Sequence, residues 1–369
     1  MKDASLFHKT KKPIDSVCAC TGILAWGRAL VCNLYRLVKI MARQITDVFF
    51  LPLNMEKTKL REVEKYHMHS EAMPTINSEN AHIYCTRQEN IATESKLLKE
   101  TVVAYYFKGG FIFIPNPLRQ EVKGRIAKEV LTKLLYQPYR NSIDRALDLS
   151  DLDLYSAYLQ KSEVSVKMYD NPIAKIKIKQ DPYATPSEKE SFISTGIVKM
   201  NPEELIKKIR WSSIGIYYDW EIKAYNREIV AQIPEVIDQA CKDISRDICK
   251  VNFIPETAVI NYYQKKDRIM SHVDRYEEDM SKPLISFSFG ASCVFVLGKK
   301  EREDSSVDTF LLEDGDIAIL IGESREYFHG VPKILNSNKG LEDYKKEEFF
   351  SLISESRINI SVRQAYKYD

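Results

Sequence analysis

Two histidines and one aspartate have the types and the spacing of a metal site. His272 and Asp274 are separated by one residue, and His329 follows much further along the chain. Because side chains alternate along a strand, the first pair can point to the same side at a strand end. Two imidazoles and one carboxylate fill three positions of an octahedral ion, a set typical of non-haem Fe(II) centres. The spacing therefore predicts a metal site at these three residues.

A second group of polar residues lies near the end of the chain. Polar and apolar residues alternate over the segment 357–363: Arg357, Asn359, Ser361 and Arg363 against Ile358, Ile360 and Val362. This alternation predicts a strand whose polar side chains share one face. Buried arginines require anionic partners. A dicarboxylate co-substrate would supply them.

Further motifs accompany these two groups: Asn261-X-Tyr263, Gly315-Asp316, the run from Gly322 to Arg325, and His329-Gly-Val-Pro332. Taken together, the motifs resemble the AlkB family of Fe(II)/2-oxoglutarate dioxygenases. Within that family, the run from His272 to Pro283 is most similar to the branch of the first mammalian AlkB homologue. The resemblance extends upstream and covers about the last two thirds of the chain.

The resemblance implies a role for each matching residue. His272, Asp274 and His329 are expected to bind Fe(II) and to form the catalytic centre, with 2-oxoglutarate and O2 as co-substrates. The residues expected to bind 2-oxoglutarate are Arg357, which clamps the distal carboxylate through its forked guanidinium, Tyr263, which donates a hydroxyl, and Asn261, Asn359 and Arg363, which orient the metal-proximal end.

Four residues are expected on the substrate side: Tyr218, Trp220, Tyr276 and Arg302. The first two belong to an aromatic segment, and aromatic rings stack on extruded bases. Arg302 aligns with a substrate-side arginine of the family. Tyr276 stands where bacterial repair enzymes carry an acidic residue, a departure that disfavours direct repair of alkylated DNA.

The expected activity is oxidative demethylation of N-methylated nucleobases, with release of formaldehyde, succinate and CO2. Branch resemblance favours 1-methyladenosine in tRNA, so the expected partner is nucleic acid, tRNA or DNA, bound by a monomer. The alternatives are demethylation of methylated DNA bases (6-methyladenine or alkylation damage), hydroxylation or demethylation of proteins or histones, and a non-catalytic jelly-roll binding module.

The predicted fold class is α+β with a mainly β core. Many short strands with turn signals predict two sheets that close over a central site, and the resemblance implies the same double-stranded β-helix, or jelly roll, with N-terminal supporting helices and a nucleotide-recognition lid. The predicted strands are Phe111–Ile114, Ala258–Tyr263, Leu284–Phe289, Cys293–Leu297, Thr309–Leu312, Asp316–Ile321 and Arg357–Arg363, and the predicted helices are Gln120–Tyr136, Asp144–Gln160, Pro202–Arg210 and Pro234–Ile248.

Three regions are expected along the chain. Residues 1–100 are predicted to be a poorly defined extension and linker, residues 101–255 the helical part of the catalytic domain with its lid, and residues 256–369 the dioxygenase core. In the lid, the alternating lysines of Lys175–Lys179 suit either contact with phosphates or a protected edge strand. The charged segment 336–348 is predicted to be a solvated loop.

Charge and cysteine usage limit the setting of the protein. The formal net charge of +2 gives no steering field, so nucleic-acid binding requires a local basic face. Seven cysteines without framework spacing indicate a reducing, intracellular compartment: nucleus, cytoplasm or mitochondrion. The basic, acid-poor first 50 residues suit a mitochondrial presequence or a reading frame begun too early, and Arg28 and Arg36 interrupt any membrane span.

Overall fold

A computed structural model of the chain describes residues 59–135, 139–144, 146–150, 152–169, 194–219, 223–299, 307–336 and 339–368. Residues 56–369 are grouped in one compact unit. Several predictions fall outside the described residues, namely the N-terminal targeting segment, the lysines of 175–179, Trp220 and Arg302. They stay predictions.

The described strands are short and frequent. In chain order they are β1 (Arg87–Ala92), β2 (Thr101–Tyr106), β3 (Phe111–Ile114), β4 (Arg140–Asn141), β5 (Leu147–Asp148), β6 (Val164–Tyr169), β7 (Ser194–Met200), β8 (Trp211–Asp219), β9 (Ala224–Ala231), β10 (Thr257–Gln264), β11 (Ile269–His272), β12 (Leu284–Gly290), β13 (Cys293–Gly298), β14 (Val307–Leu312), β15 (Ile317–Leu320), β16 (Phe328–Ile334) and β17 (Ser356–Arg363).

The helices are α1 (Lys59–His69), α2 (Ala81–Tyr84), α3 (Gln120–Thr132), α4 (Leu154–Gln160), α5 (Pro202–Lys208), α6 (Glu235–Ile244) and α7 (Phe350–Glu355), with a π turn at Ser245–Cys249 and 3₁₀ turns at Lys108–Gly110, Gly322–Glu326 and Leu341–Tyr344. Within the described ranges, no helix combines the length and the apolar character needed to cross a membrane.

Two antiparallel sheets enclose the core. The larger one runs β1-β2-β3-β15-β12-β17-β10-β8-β4, with β9 paired to β8, and the smaller one runs β11-β16-β13-β14. Aromatic rings join them: Phe111 of the larger sheet stacks on Phe295 of the smaller at 5.9 Å between centroids, and Phe310 lies 4.7 Å from Phe111. This two-sheet arrangement confirms the jelly-roll prediction. A separate small sheet contains β5, β6 and β7.

The predicted core strands agree with the structure to within two residues at each end, and β3 has the predicted bounds. The helices predicted at 120–136, 202–210 and 234–248 are also present in shorter form. Asn201 begins α5, because its side chain accepts the Glu203 amide at 2.8 Å and Pro202 occupies the first turn. These elements follow from local signals.

The helix predicted over 144–160 is wrong in its first half. Asp148 accepts the amide of Ser150 in a turn, and β5 pairs with β6. The helix instead begins after Asp153, whose carboxylate accepts the Ser156 amide at 2.9 Å. Side-chain acceptors in this segment favour a turn and a cap over a continuous helix.

The linker predicted up to residue 100 is also wrong for the part that the structure describes. Helix α1 packs Leu60 in a cluster with Val294 and Val296 of β13. Strand β1 pairs with β2 and so extends the larger sheet. Glu64 of α1 is 1% exposed and accepts the amide of Ser271 at 2.7 Å. Apolar packing, a buried carboxylate and strand pairing therefore attach this charged segment to the core.

The predicted solvated loop at 336–348 contains two buried side chains. Leu341 and Tyr344 are 1% and 0% exposed. The Tyr344 hydroxyl donates to Asp314 at 3.1 Å. The described part of this loop is therefore attached to the core through its 3₁₀ turn.

Candidate active site

The polar face of β17 is completed by the strands on either side of it. In the register with β10, Tyr263 lies opposite Arg357 and Asn261 lies opposite Asn359. On the other side, Ser286 of β12 lies opposite Ser361. Alternation turns these side chains to the same face, where they line one pocket between the two sheets.

The smaller sheet brings the two histidines together. His272 at the end of β11 pairs directly with His329 of β16. The strands approach closely at Gly330, where a Cβ atom would lie 2.8 Å from the Ser271 amide nitrogen. A glycine is therefore needed beside His329 for this pairing. Asp274 follows two residues after His272, beyond the end of β11.

The three predicted metal ligands converge. The Nε2 atoms of His272 and His329 each lie 3.7 Å from a carboxylate oxygen of Asp274. The ligand atoms all lie within 4.8 Å of one another, and this is the group of three metal-ligating side chains found among the described residues. One ion placed among them would contact two nitrogens and one oxygen.

Backbone carbonyls fix the orientation of both imidazoles. Nδ1 of His272 lies 3.0 Å from Met270 O, and Nδ1 of His329 lies 3.3 Å from Tyr327 O. Because a carbonyl can only accept, Nδ1 carries the proton and Nε2 faces the site with its lone pair. Burial, together with the neighbouring His329, lowers the pKa of His272 to about 4. The neutral, metal-binding form of His272 is thus present at neutral pH.

Arg363 holds the carboxylate of Asp274. Its Nη2 donates to Asp274 Oδ2 at 2.5 Å, and its Nε lies 3.2 Å from Glu277 Oε1. Burial alone would raise the pKa of Asp274, but Arg363 and the two histidines hold that pKa well below its usual range. The aspartate is therefore ionised, as a metal ligand must be.

Arg357 occupies the pocket with part of its guanidinium unpaired. The side chain is 1% exposed, and its Nη2 donates to Ser288 Oγ at 3.0 Å. Its Nε and Nη1 are buried without a hydrogen-bond partner in the described part of the chain. A buried guanidinium with free N–H groups is costly unless an anion binds there. This end of the pocket therefore fits a carboxylate.

The remaining residues predicted to bind 2-oxoglutarate have different surroundings. Asn359 uses its amide within the protein, because Nδ2 donates to Ser286 Oγ at 2.6 Å and Oδ1 accepts from Ser361 at 3.0 Å. Tyr263 is 7% exposed, and burial raises the pKa of its phenol, so the hydroxyl remains a donor. Asn261 lines the pocket beside Asn359.

The described substrate-side residues form an aromatic group outside the lining of the pocket. The Tyr218 ring lies 5.4 Å from that of Tyr276 and 5.0 Å from that of Tyr225. Tyr218 is 6% exposed, whereas Tyr276 is 43% exposed. Tyr218 is therefore packed in the interior. Tyr276, two residues after Asp274, is the more solvent-accessible of these two rings.

Sequence reasoning missed two sets of site residues. Glu277 lies between Arg363 and Arg325, and its position three residues after Asp274 was the one available signal. The apolar walls were not predicted either, since strand periodicity does not indicate which apolar face meets a site. They consist of Ile269, Leu284, Phe295, Leu312, Leu320 and Val331.

The donor set fits the group that it would hold. Two neutral imidazole nitrogens and one ionised carboxylate form the facial set that binds Fe(II) and leaves open positions. At the other end of the same pocket, the unpaired N–H groups of Arg357 fit the second carboxylate of a dicarboxylate. Metal and anion sites lie in one pocket, which defines the class of an iron oxygenase with an acidic co-substrate.

Comparison with known proteins agrees with this class. The family model described as the 2OG-Fe(II) oxygenase superfamily matches residues 172–363, which contain His272, Asp274, His329 and both pocket arginines. Over 285 residues the chain is 30% identical to the DNA N(6)-methyladenine demethylase ALKBH1A of Arabidopsis thaliana, covering 74% of this chain and 80% of the relative.

Two further relatives match shorter segments. The nucleic acid dioxygenase ALKBH1 of Homo sapiens is 30% identical over 64% of this chain and 54% of its own length. The tRNA demethylase abh1 of Schizosaccharomyces pombe is 33% identical over 43% of this chain and 53% of its own length. The chain thus spans about half the length of these two relatives.

The chain belongs to the 2OG-Fe(II) oxygenase superfamily and, within it, to the AlkB family. The predictions of an Fe(II)- and 2-oxoglutarate-dependent dioxygenase, and of Fe(II), 2-oxoglutarate and O2 as its cofactor and co-substrates, are confirmed at the level of the family.

Proposed function

We propose that the chain is an oxidative demethylase of N-methylated nucleobases and that its substrate is 1-methyladenosine in tRNA. The observation that carries the reaction class is the pocket itself. The ligand group of His272, Asp274 and His329 and the unpaired guanidinium of Arg357 line the same cavity. Fe(II), 2-oxoglutarate and O2, when bound there, supply the oxidation of a substrate C–H bond.

The residues of the chain orient the reactants rather than provide the oxidant. His272 and His329 present Nε2 because their Nδ1 protons are held by backbone carbonyls. Arg357 clamps the distal carboxylate, and a fork of N–H groups fixes its direction as well as its position. Apolar side chains from both sheets complete the walls of the same pocket.

The substrate class is supported by the relatives and by the aromatic group. The Arabidopsis, human and fission-yeast relatives are named for acting on DNA, nucleic acid and tRNA. An enzyme that modifies a base takes it out of the stack and holds it against aromatic side chains. Tyr276 is 43% exposed beside the metal-binding segment and offers such a ring. A hydroxylated N-methyl carbon then leaves the base as formaldehyde.

A second candidate is demethylation of 6-methyladenine in DNA. It is favoured by the Arabidopsis relative, which is named for that activity and of which this chain covers 80%. Both candidates share the same metal and co-substrate chemistry. They differ in the polynucleotide that reaches the pocket, so a direct competition between the two polymers separates them.

The test is a reconstituted reaction. Protein is loaded anaerobically with Fe(II) and 2-oxoglutarate, air is admitted, and succinate and formaldehyde are measured with tRNA that contains 1-methyladenosine. The matched polymers are unmodified tRNA and DNA that contains 6-methyladenine. We expect formaldehyde with the modified tRNA and none with the His272→Ala variant, which lacks a metal ligand.

The outcomes separate the two parts of the proposal. Formaldehyde from modified DNA in preference to modified tRNA would replace tRNA by DNA as substrate. Succinate without formaldehyde from either polymer would contradict the nucleobase substrate while leaving the co-substrate chemistry in place. Neither product from an iron-loaded sample would contradict the reaction class and favour a jelly roll used for binding.

A further inference from the structure

Glu277 lies at the centre of a buried row of alternating charges. Its side chain is 3% exposed, and its Oε2 accepts Nη2 of Arg325 at 3.0 Å. Its other oxygen, Oε1, accepts the Tyr225 hydroxyl at 3.1 Å and lies 3.2 Å from Nε of Arg363. Arg363 in turn donates to Asp274 at 2.5 Å. The row therefore ends at a metal-binding carboxylate.

Burying these charged groups costs desolvation free energy, and such a cost is not expected where the charges serve only to fill the core. Arg325 is 2% exposed, and its Nε and Nη1 have no hydrogen-bond partner among the described residues. Well-packed apolar residues of similar volume commonly stabilise a core as much as a buried ion pair does. Two buried guanidinium groups facing one carboxylate are therefore better explained by the geometry they enforce on the neighbouring site.

The geometry that they enforce is that of Arg363. The guanidinium of Arg363 faces Asp274 with Nη2 and Glu277 with Nε, while the residue lines the pocket. One partner alone would let the guanidinium rotate about its last torsions and bind Asp274 in several ways. A hydrogen bond to Asp274 on one edge and an ion pair with Glu277 on the adjacent edge restrict that rotation.

We propose that Glu277 is a positioning residue that fixes Arg363 for 2-oxoglutarate, and that the Tyr225 hydroxyl holds Glu277 in the required rotamer. This inference deepens the proposed function and rests on it, because it takes 2-oxoglutarate as the ligand of the pocket. Tyr225 also packs against Tyr218 at 5.0 Å between ring centroids. The same carboxylate thus joins the aromatic group to the co-substrate end of the site.

The experiment measures binding without turnover and without nucleic acid. Full-length protein is loaded with Mn(II), which accepts similar ligands, and titrated with 2-oxoglutarate in a calorimeter. Glu277→Gln keeps the size and one acceptor oxygen but removes the charge. We expect its Kd for 2-oxoglutarate to rise about 10-fold. Removing the charge of Glu277 leaves the buried guanidinium of Arg363 without this partner, and that group is the one expected to face the co-substrate.

The matched control is Glu278→Gln, the same change at the next residue. Glu278 is exposed and accepts the Lys367 amide at 3.3 Å, away from Arg363. Its Kd for 2-oxoglutarate should equal that of the unaltered protein. In turnover assays, Glu277→Gln should raise KM for 2-oxoglutarate more than it lowers kcat, a split that a general loss of folded protein would not produce.

A second variant keeps the inference testable if Glu277→Gln fails to fold, as judged by the loss of cooperative thermal unfolding. Tyr225→Phe removes one hydrogen bond to Oε1 and leaves every charge in place; we expect about a 3-fold rise in Kd. An unchanged Kd in folded Glu277→Gln, or in Tyr225→Phe when the first variant is unfolded, overturns the proposal. Because no substrate is added, an incorrect nucleobase assignment leaves this result unaffected.

Discussion

Two groups of buried charge border β12, and they differ in whether the protein supplies every partner. In the first, Nζ of Lys123 lies 2.8 Å from carboxylate oxygens of both Asp314 and Asp343. Asp314 also accepts the Tyr344 hydroxyl at 3.1 Å and the Gly290 amide at 2.8 Å. Both buried charges of this group, those of Lys123 and Asp314, have ion-pair partners within the chain.

The second group is incomplete. Arg357 also contacts β12, through the hydroxyl of Ser288, yet two of its guanidinium nitrogens have no partner in the described chain. Both arrangements are buried, so burial does not separate them. A complete charge group ties elements of the fold together, whereas unpaired donors that line a pocket, as those of Arg357 do, indicate a ligand. Substitutions in the two groups should therefore have separable effects on stability and on binding.

The largest expected effect is on stability, from Lys123→Met. Burial lowers the pKa of Lys123, but the two carboxylates outweigh burial and hold that pKa above its usual value. Removing the ammonium group leaves Asp314 buried without its cation, so the free energy of unfolding should fall by about 4 kcal/mol. Chemical denaturation measures this loss. The Kd for 2-oxoglutarate of the folded variant should not change.

The control for that substitution is Lys128→Met, on the exposed side of the same helix, α3. Its effect on stability should stay within about 0.5 kcal/mol. A Lys123 variant that unfolds at the same denaturant concentration as this control would show that the first group contributes no stability, and the contrast between the two groups would be lost.

Arg357→Lys should have the converse effect, on binding alone. Lysine keeps the positive charge but cannot present a planar fork of donors to a carboxylate. We expect KM for 2-oxoglutarate to rise about 100-fold, ~2.7 kcal/mol of binding free energy. Arg275→Lys is the matched control, because Arg275 is exposed and adjacent to Asp274. Equal co-substrate affinities in both variants would contradict the role of Arg357.

The pH dependence of stability tests the metal end of the same pocket. The pKa of His272 is about 4 in the folded chain and about 6.5 in an unfolded one. Between these values the unfolded state binds more protons, so stability is lost as pH falls from about 6.5 toward 4. From pH 7 to pH 5 this residue should account for a loss of about 2 kcal/mol in the metal-free protein.

The contribution of His272 is measured as the difference in stability loss between two proteins. The unaltered protein and His272→Gln are unfolded in denaturant at both pH values, and the difference between their losses is assigned to the imidazole. Equal losses in the two proteins would mean that His272 titrates normally. Added Mn(II) should stabilise the folded protein at both pH values and leave this loss in place, since the loss comes from proton uptake by the unfolded chain.

Sequence reasoning succeeded where the signal is local and periodic. Alternation from Arg357 to Arg363 predicted one polar face, and the structure places that face in the pocket. The same reasoning could not find contacts made between distant segments. Glu64, in the segment predicted to be a linker, accepts the amide of Ser271 next to His272. The pairing of Glu277 with Arg325 likewise depends on how two distant segments come together in the fold. The periodicity of the sequence does not indicate such a contact.

The smallest expected effect concerns Tyr276, which belongs to neither charge group. Its ring is 43% exposed. The ring, and not the hydroxyl, is expected to contact the base. Stacking on an extruded base contributes about 1 to 3 kcal/mol. We therefore expect Tyr276→Ala to raise KM for modified tRNA about 5- to 10-fold, toward the lower end of that range, and to leave the Kd for 2-oxoglutarate unchanged.

Tyr276→Phe keeps the ring and should behave as the unaltered protein does. Tyr66→Ala, at a 59% exposed tyrosine on α1, controls for loss of a surface ring. A normal KM in Tyr276→Ala would place the base elsewhere, whereas a change in co-substrate affinity would mean that the aromatic group belongs with the charged pocket.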